Sequence, residues 1–346
     1  MGFVKNIGRL AGTAVLYAKV GLSGMTPARA YRMARYWISA HLLGMNIPWL
    51  IEFSVTYRCQ CKCTHCSVGD YLNKANKADE VTTEQIKKLL DEAAALGIPK
   101  VDFFGGEPLI REDIVELTRY GAKKGLYMSV TTNAWLLTKE VAAQLKRAGI
   151  GCINISLDSV SEEKHDSLRG LPGLYKKAIN GVRYCYEEGI PCILSTYVTR
   201  NRIINLGKGK EDNSQLTKII SLAKELKGTA IRILFPIISG KWEHDQAKEF
   251  TDEEKRLVIE NIDPSFAFIE GAYSVRNKKK VCQSLSGKMF NISPYGDIQL
   301  CVTFPDTFGN IKDKSLQELL KEMYSHPVYR KNKNGSCCST AGLVRK

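Results

Sequence analysis

Three cysteines on one short stretch carry the clearest chemical potential in this chain. The segment reads Cys59-Gln-Cys-Lys-Cys63-Thr-His-Cys66, a Cys-x3-Cys-x2-Cys spacing that lets three thiolates converge on one centre. Soft thiolates select zinc, copper(I) or iron-sulfur clusters. A four-iron cubane with three protein ligands keeps one iron open to an outside ligand, whereas a structural zinc would be closed by a fourth donor, here His65 or Cys61. A second set lies far downstream: Cys282, then thirteen residues, then Gly296-Asp-Ile-Gln-Leu-Cys301, with Cys337 and Cys338 near the end. Clusters of this kind point to metal ligation in a reducing compartment and not to an even disulfide framework, although a zinc ribbon or merely structural thiols would also suit the second set.

The elements that must position these residues follow from periodicity. Short β-branched or aromatic runs fall near 49–57, 100–104, 127–132, 152–157, 190–199 and 229–235, and helical patterns fall near 82–96, 111–124, 138–148, 172–188 and 213–227. Six strands alternating with helices imply a parallel sheet with right-handed crossovers, so residues just past each strand become the functional suspects. The cysteines follow the first run. The second ends in Phe103-Phe104-Gly105-Gly106-Glu107-Pro108, the third in Thr131-Thr132-Asn133, and the fourth in Ile155-Ser156-Leu157-Asp158, with His165-Asp166-Ser-Leu-Arg169-Gly170 beyond it. A Gly-Gly pair alone is an ordinary turn, and Arg169 alone is a surface ion-pair residue as readily as a ligand. Asp158, Ser195 and Thr196 fall at positions that could face a barrel interior. Cys152, Cys185 and Cys192 read as small buried hydrophobes, while Cys61 could reach the active site as a hydrogen donor.

At 346 residues and 44% hydrophobic content, the chain suits a core domain with appendages. Residues 1 to 51 contain no Asp or Glu, and Lys5, Arg9, Lys19, Arg29, Arg32 and Arg35 are interleaved with apolar side chains. Such a stretch either lies in a membrane interface with its apolar side buried and its cations toward anionic headgroups, or packs as a helical hairpin with solvated arginines. A net charge of +14 favours an acidic partner, but the dispersed basic residues make nucleic acid the weaker candidate. No membrane-spanning run and no secretory signal pattern is present in this sequence, so a cytoplasmic location is expected, with peripheral contact at the inner face of a membrane admitted.

The Cys59/Cys63/Cys66 triad after a first strand, followed by Gly105-Gly106-Glu107-Pro108 after the second, resembles the signature of the radical S-adenosylmethionine (SAM) superfamily. The Ser156-Leu-Asp158 and His165-Asp-x-x-Arg169 pattern resembles that of anaerobic sulfatase-maturating enzymes. Cys282 through Gly296 to Cys301 resembles the opening of SPASM and twitch extensions, with a hairpin over 293–301 and a following helix from Ser315-Leu316. The resemblance implies an α/β fold, a partial (β/α)6 radical SAM barrel with a small C-terminal SPASM/twitch-like cluster-binding domain. The domains are then a basic amphipathic extension at 1–48, the core at 49–262 and the auxiliary iron-sulfur domain at 263–346.

It further implies a SAM-binding [4Fe-4S] cluster on Cys59, Cys63 and Cys66, and SAM held by Gly105, Gly106, Glu107, Pro108, Asn133, Ser156 and Arg169. Glu107 would take the SAM ammonium, Ser156 and Arg169 its carboxylate, and His65, standing where an aromatic residue is usual, a place near the adenine. An auxiliary [4Fe-4S] cluster would use Cys282, Cys301 and Cys337 or Cys338. A flavodoxin or ferredoxin would supply electrons, and a 5′-deoxyadenosyl radical would take hydrogen from a substrate carbon. The acid-free N-terminus leans toward a membrane-associated, lipid-like substrate. A maturase acting on a ribosomal peptide or protein side chain is the chief alternative, and a non-catalytic iron-sulfur or zinc module the third.

Overall fold

Every apolar run between residues 49 and 235 becomes a strand, because its alternate residues bury one face against the helices that follow. The computed structural model describes residues 2–72, 75–237, 239–242, 249–270, 282–304 and 306–333. Its strands are β1 (Leu50–Thr56), β2 (Lys100–Gly105), β3 (Tyr127–Thr132), β4 (Cys152–Ser156), β5 (Cys192–Tyr197), β6 (Ala230–Leu234), β7 (Ala267–Glu270), β8 (Met289–Ile292), β9 (Asp297–Gln299) and β10 (Thr307–Asn310). Its helices are α1 (Gly2–Leu22), α2 (Pro27–Trp37), α3 (Gly69–Leu72), α4 (Thr83–Leu96), α5 (Ile114–Lys123), α6 (Lys139–Ala148), α7 (Glu162–Arg169), α8 (Leu174–Glu187), α9 (Gln215–Glu225), α10 (Asp252–Asn261), α11 (Leu316–Ser325) and α12 (Pro327–Asn332).

β1 to β7 pair in parallel in chain order, which is the arrangement of a partial α/β barrel. The six expected strands all form, and β7 adds a seventh just past residue 262. On the other edge β8 runs parallel to β1, and β9 and β10 extend the same sheet antiparallel, so the hairpin expected over 293–301 continues the barrel sheet. The expected helix after Ser315 is α11, whose start is fixed by reciprocal Ser315 and Glu318 side-chain bonds to the backbone. α7 was not expected from periodicity; its eight residues are mostly charged and only His165 is buried.

Ile51, Phe53, Val101, Phe103, Met128, Val130, Ile153 and Ile155 are buried on the helix-facing side of the sheet. Between them Glu52, Asp102, Ser129, Thr131 and Asn154 project to the concave side, as the two-residue strand period requires. Leu16 of α1 packs with Tyr127, Cys152, Ile193 and Ala230, residues at the starts of β3 to β6, and Val20, Met33 and Phe268 join them. α1 and α2 therefore close the amino end of the barrel, opposite the mouth where the cysteine loop begins.

Candidate active site

The cysteine loop leaves β1 at the carboxyl mouth and is pinned to the end of α7 by Lys62 N–H to Arg169 O (2.9 Å) and Thr64 N–H to Leu168 O (2.9 Å). Cys61 is buried between the flanking thiols and hydrogen-bonds to both Cys59 and Cys63. That contact, helped by the Arg169 guanidinium, pulls the Cys63 thiol down to about 6 against its burial, and it lowers Cys59 as well. Burial pushes Cys66 up to about 12. Two donors also reach sulfur: Asn133 Nδ2 to Cys59 (3.7 Å) and an Arg169 guanidinium nitrogen to Cys63 (3.9 Å). Hydrogen bonds to thiolate sulfur are a recognised control on cluster potential.

At the end of β2, Gly105 and Gly106 serve a close approach of backbone to backbone. A Cβ on Gly105, where φ is +126°, would collide with Thr56 O, and one on Gly106 would collide with Arg58 O. The pair thus lets Gly106 N–H donate to Thr56 O and Glu107 N–H to Arg58 O, locking the second motif onto the cysteine loop. Glu107 is fully buried. It accepts from Thr132 Oγ1 (2.6 Å), Asn133 N–H (2.8 Å) and Leu109 N–H (3.0 Å), while Pro108 is buried beside it. Burial pushes its carboxyl up to about 7 against those bonds.

Beyond β4, Asp158 gathers the charges. Its buried carboxylate meets Arg169 at 2.6 Å, His65 at 3.3 Å and Arg202 at 4.0 Å, and it accepts from Tyr197 N–H at 3.3 Å. Burial alone would raise its pKa, but Arg169 and His65 outweigh that and hold it well below the ordinary carboxylate range. His65 Nε2 thus faces the Asp158 carboxylate. His65, Tyr197 and Trp242 form an aromatic group, with ring centroids 4.9 to 5.8 Å apart, on the wall of a cavity of about 890 Å³ that also meets Asp158, Thr196 and Arg202. Ser156, the last residue of β4, sits beside Ser195 of β5 on the same rim.

The concave side of the barrel holds charges that sequence reading passed over. Asp102 accepts from Ser129 Oγ, from Thr131 Oγ1 (2.8 Å) and from Asn154 Nδ2 (3.3 Å). Arg232 donates to Ser195 Oγ (2.9 Å) and pairs with Glu270 at 2.7 Å. Burial, and then the Asp102 carboxylate, push Glu52 up to about 8. The missed signal was a polar residue bracketed by apolar ones inside each run, as in Ile51-Glu52-Phe53 and Ile231-Arg232-Ile233, because strands covered on both faces read as continuous hydrophobic runs.

Among the described residues, no three His, Cys, Asp or Glu side chains stand close enough together to hold one metal ion. What fits an iron-sulfur cluster is the donor set itself: three soft sulfurs on one loop, two of them held toward thiolate and met by Asn133 and Arg169. Cys282 is buried in the core after β7, and Cys301, just past β9, packs against the same core. Cys337 and Cys338 lie outside the described residues. Cys152, Cys185 and Cys192 are buried at β4, α8 and β5.

Residues 53–212 match the model of the radical SAM superfamily. The chain is 32% identical over 212 residues to an AdoMet-dependent heme synthase of Methanosarcina barkeri, covering 61% of this chain and 57% of that protein. It is 28% identical over 277 residues to a PqqA peptide cyclase of Bradyrhizobium diazoefficiens, covering 74% and 67%. The chain thus spans little more than half the length of the first of these relatives. Among solved structures, Streptococcus suis SuiB bound to S-adenosylmethionine aligns at TM-score 0.69 and 17% identity, over 90% of this chain and 78% of that one, and SuiB bound to its precursor peptide SuiA aligns at 0.66.

Proposed function

Since the chain carries a radical SAM domain at residues 53–212, we propose that it is an enzyme that reductively cleaves S-adenosylmethionine to begin radical chemistry on a carbon substrate. When bound, a [4Fe-4S] cluster supplies the low-potential electron that splits SAM into methionine and a 5′-deoxyadenosyl radical able to take hydrogen from that carbon. The supporting observation is the gathering of the cysteine loop, Glu107, Asn133 and the Asp158–Arg169 pair on one rim of the partial barrel.

In this reading Cys59, Cys63 and Cys66 hold the cluster, while Asn133 and Arg169 moderate charge on its sulfurs. Asp158 fixes the Arg169 fork so that its remaining face, with Ser156, receives the SAM carboxylate. Glu107, held in place by three donors, offers the ammonium its charge, and Gly105 to Pro108 shape the floor beneath. His65, Tyr197 and Trp242 provide flat surfaces for the adenine ring. Cys61 sits with the cluster sulfurs, which favours a role in tuning them over hydrogen donation to substrate. An auxiliary [4Fe-4S] cluster on Cys282, Cys301 and the C-terminal cysteines completes the reading, with a flavodoxin or ferredoxin as electron donor.

For the substrate, the reading prefers a peptide or protein side chain. Its support is the polar concave side, where Glu52, Asp102, Arg232 and Glu270 suit polar groups, together with the likeness to a peptide cyclase and to a protein solved with its precursor peptide. The lipid-like substrate rested on the acid-free N-terminus, and those helices close the end of the barrel away from the mouth. Peripheral membrane contact through residues 1–48 stays within the reading, supported by the outward apolar side chains of α1 and α2.

The test is anaerobic reconstitution with iron and sulfide. The reduced protein is expected to give a cluster electron-spin signal that changes when SAM is added, and the Cys59→Ala/Cys63→Ala/Cys66→Ala variant is expected to lose that SAM-sensitive component. Zinc in place of iron, or a signal indifferent to SAM, would count against the reading.

A further inference from the structure

Ten of the fifteen exposed large hydrophobic side chains among the described residues fall between residues 10 and 45. They include Tyr17, Tyr31 (72% exposed), Trp37, Leu42 (79% exposed) and Leu43. Over residues 8–22 of α1, every exposed position except Lys19 is apolar, aromatic or glycine. A helix facing water normally presents a charged outer face, and this one presents the reverse.

Three of the basic side chains, those of Arg9, Arg29 and Arg32, have turned inward, while Lys19 and Arg35 stay exposed. Arg9 donates to the carbonyls of Ile259, Glu260 (3.2 Å) and Ile262 at the end of α10. Arg29, buried, donates to Leu126 O and to the Gly149 carbonyl that caps α6. Arg32 donates to Ala94 O (2.7 Å) near the end of α4 and to Lys124 O at the end of α5. Cations at helix carboxyl ends satisfy orphan carbonyls and oppose the helix dipole. The cost of that arrangement is an outer surface with little charge to keep it soluble.

We infer that the outer face formed by α1, α2 and the helical turn Ile38–Leu42 that continues α2, with Leu43 just beyond it, docks on an anionic lipid bilayer, and that it does so with the cysteine-bearing mouth turned away from the lipid. Apolar and aromatic side chains suit the interfacial zone, where Tyr and Trp concentrate. Residues 1–51 carry no acidic group to be repelled by anionic headgroups, and exposed Lys19 and Arg35 flank the patch. No helix among the described residues is long and apolar enough to cross a membrane, so the contact is peripheral. Strands of five to seven residues separate this face from the mouth by about 20 Å. Substrate then enters from solution and not from the bilayer. The inference deepens the membrane contact of the proposed function and is independent of its radical chemistry.

The full chain is tested by sedimentation with phosphatidylglycerol-containing vesicles against pure phosphatidylcholine, and by quenching of tryptophan emission with brominated lipid. Binding to the anionic vesicles is expected, lowered about tenfold or more by Leu42→Glu/Leu43→Glu, with most quenching lost in Trp37→Phe. The Leu42→Glu/Leu43→Glu variant should still form 5′-deoxyadenosine in solution, so failure here and failure of the radical SAM reading are separable. Quenching that survives in Trp37→Phe but disappears in Trp242→Phe, beside the mouth, would overturn the orientation. Failure to sediment would overturn the docking, and a dimer dispersed by the Leu42→Glu/Leu43→Glu variant would assign the face to a second copy of the chain.

Discussion

Asp158 shows how much of the site depends on one buried carboxylate. Arg169, His65 and Arg202 all converge on it, and Arg169 in turn reaches Cys63, so neutralising Asp158 leaves a buried guanidinium without its partner. Breaking a buried pair from one side costs about 3 kcal/mol or more, and Asp158→Asn is expected to lose about that much in urea titrations and to bind SAM more weakly. Glu52 makes the stability of the fold depend on pH. Its carboxyl rises from an ordinary 4.5 to about 8 in the fold, so the folded chain keeps a proton that the unfolded chain has released. The stability from this group is fully present below about pH 4.5 and is lost as pH rises through about 8. Thermal melts of Glu52→Gln between pH 5 and 9 should therefore show a shallower alkaline decline than the parent. A decline equal to the parent's would mean that Glu52 is already ionised in the fold.

At the scale of elements, the Gly-Gly turn and the arginine clamps are the joints. Gly106→Ala forces a methyl against Arg58 O and is expected to cost several kcal/mol, read as a fall in urea midpoint with displacement of the cysteine loop. Arg29→Met strands the Leu126, Gly24 and Gly149 carbonyls, and limited proteolysis should then release the N-terminal helices sooner than in the parent. The strands and main helices were legible because each alternates an apolar face with a turn signal, and the six barrel runs formed within two residues or so of their expected bounds. α7 was not legible, since a helix of charged residues pinned by Ser161 and a loop contact has no apolar stripe to read. The direction of α1 and α2 was hidden for a different reason: composition counts arginines but does not say whether they face water or the carboxyl ends of other helices.

For the whole molecule, the two ends of the barrel divide the work. The carboxyl mouth gathers the cysteines, the Asp158 network and the cavity of about 890 Å³, whereas the amino end is sealed by α1 and α2. Motif spacing singled out the cysteines, Gly105 to Pro108, Asn133, Ser156 and Arg169, whereas the gathering of Arg202, Tyr197 and Trp242 around Asp158 and His65 came only with the fold. The concave charges between the two ends came only with strand register, which sets Glu52 beside Asp102 and Ser195 beside Arg232. Reductive SAM cleavage is the claim on which the rest depends, and it is tested most directly by measuring 5′-deoxyadenosine from SAM and reductant with anaerobically reconstituted protein. The account predicts its formation by the parent chain and its loss in Cys63→Ala at equal folded content. SAM left intact by the parent, or cleaved equally by the variant, would contradict it.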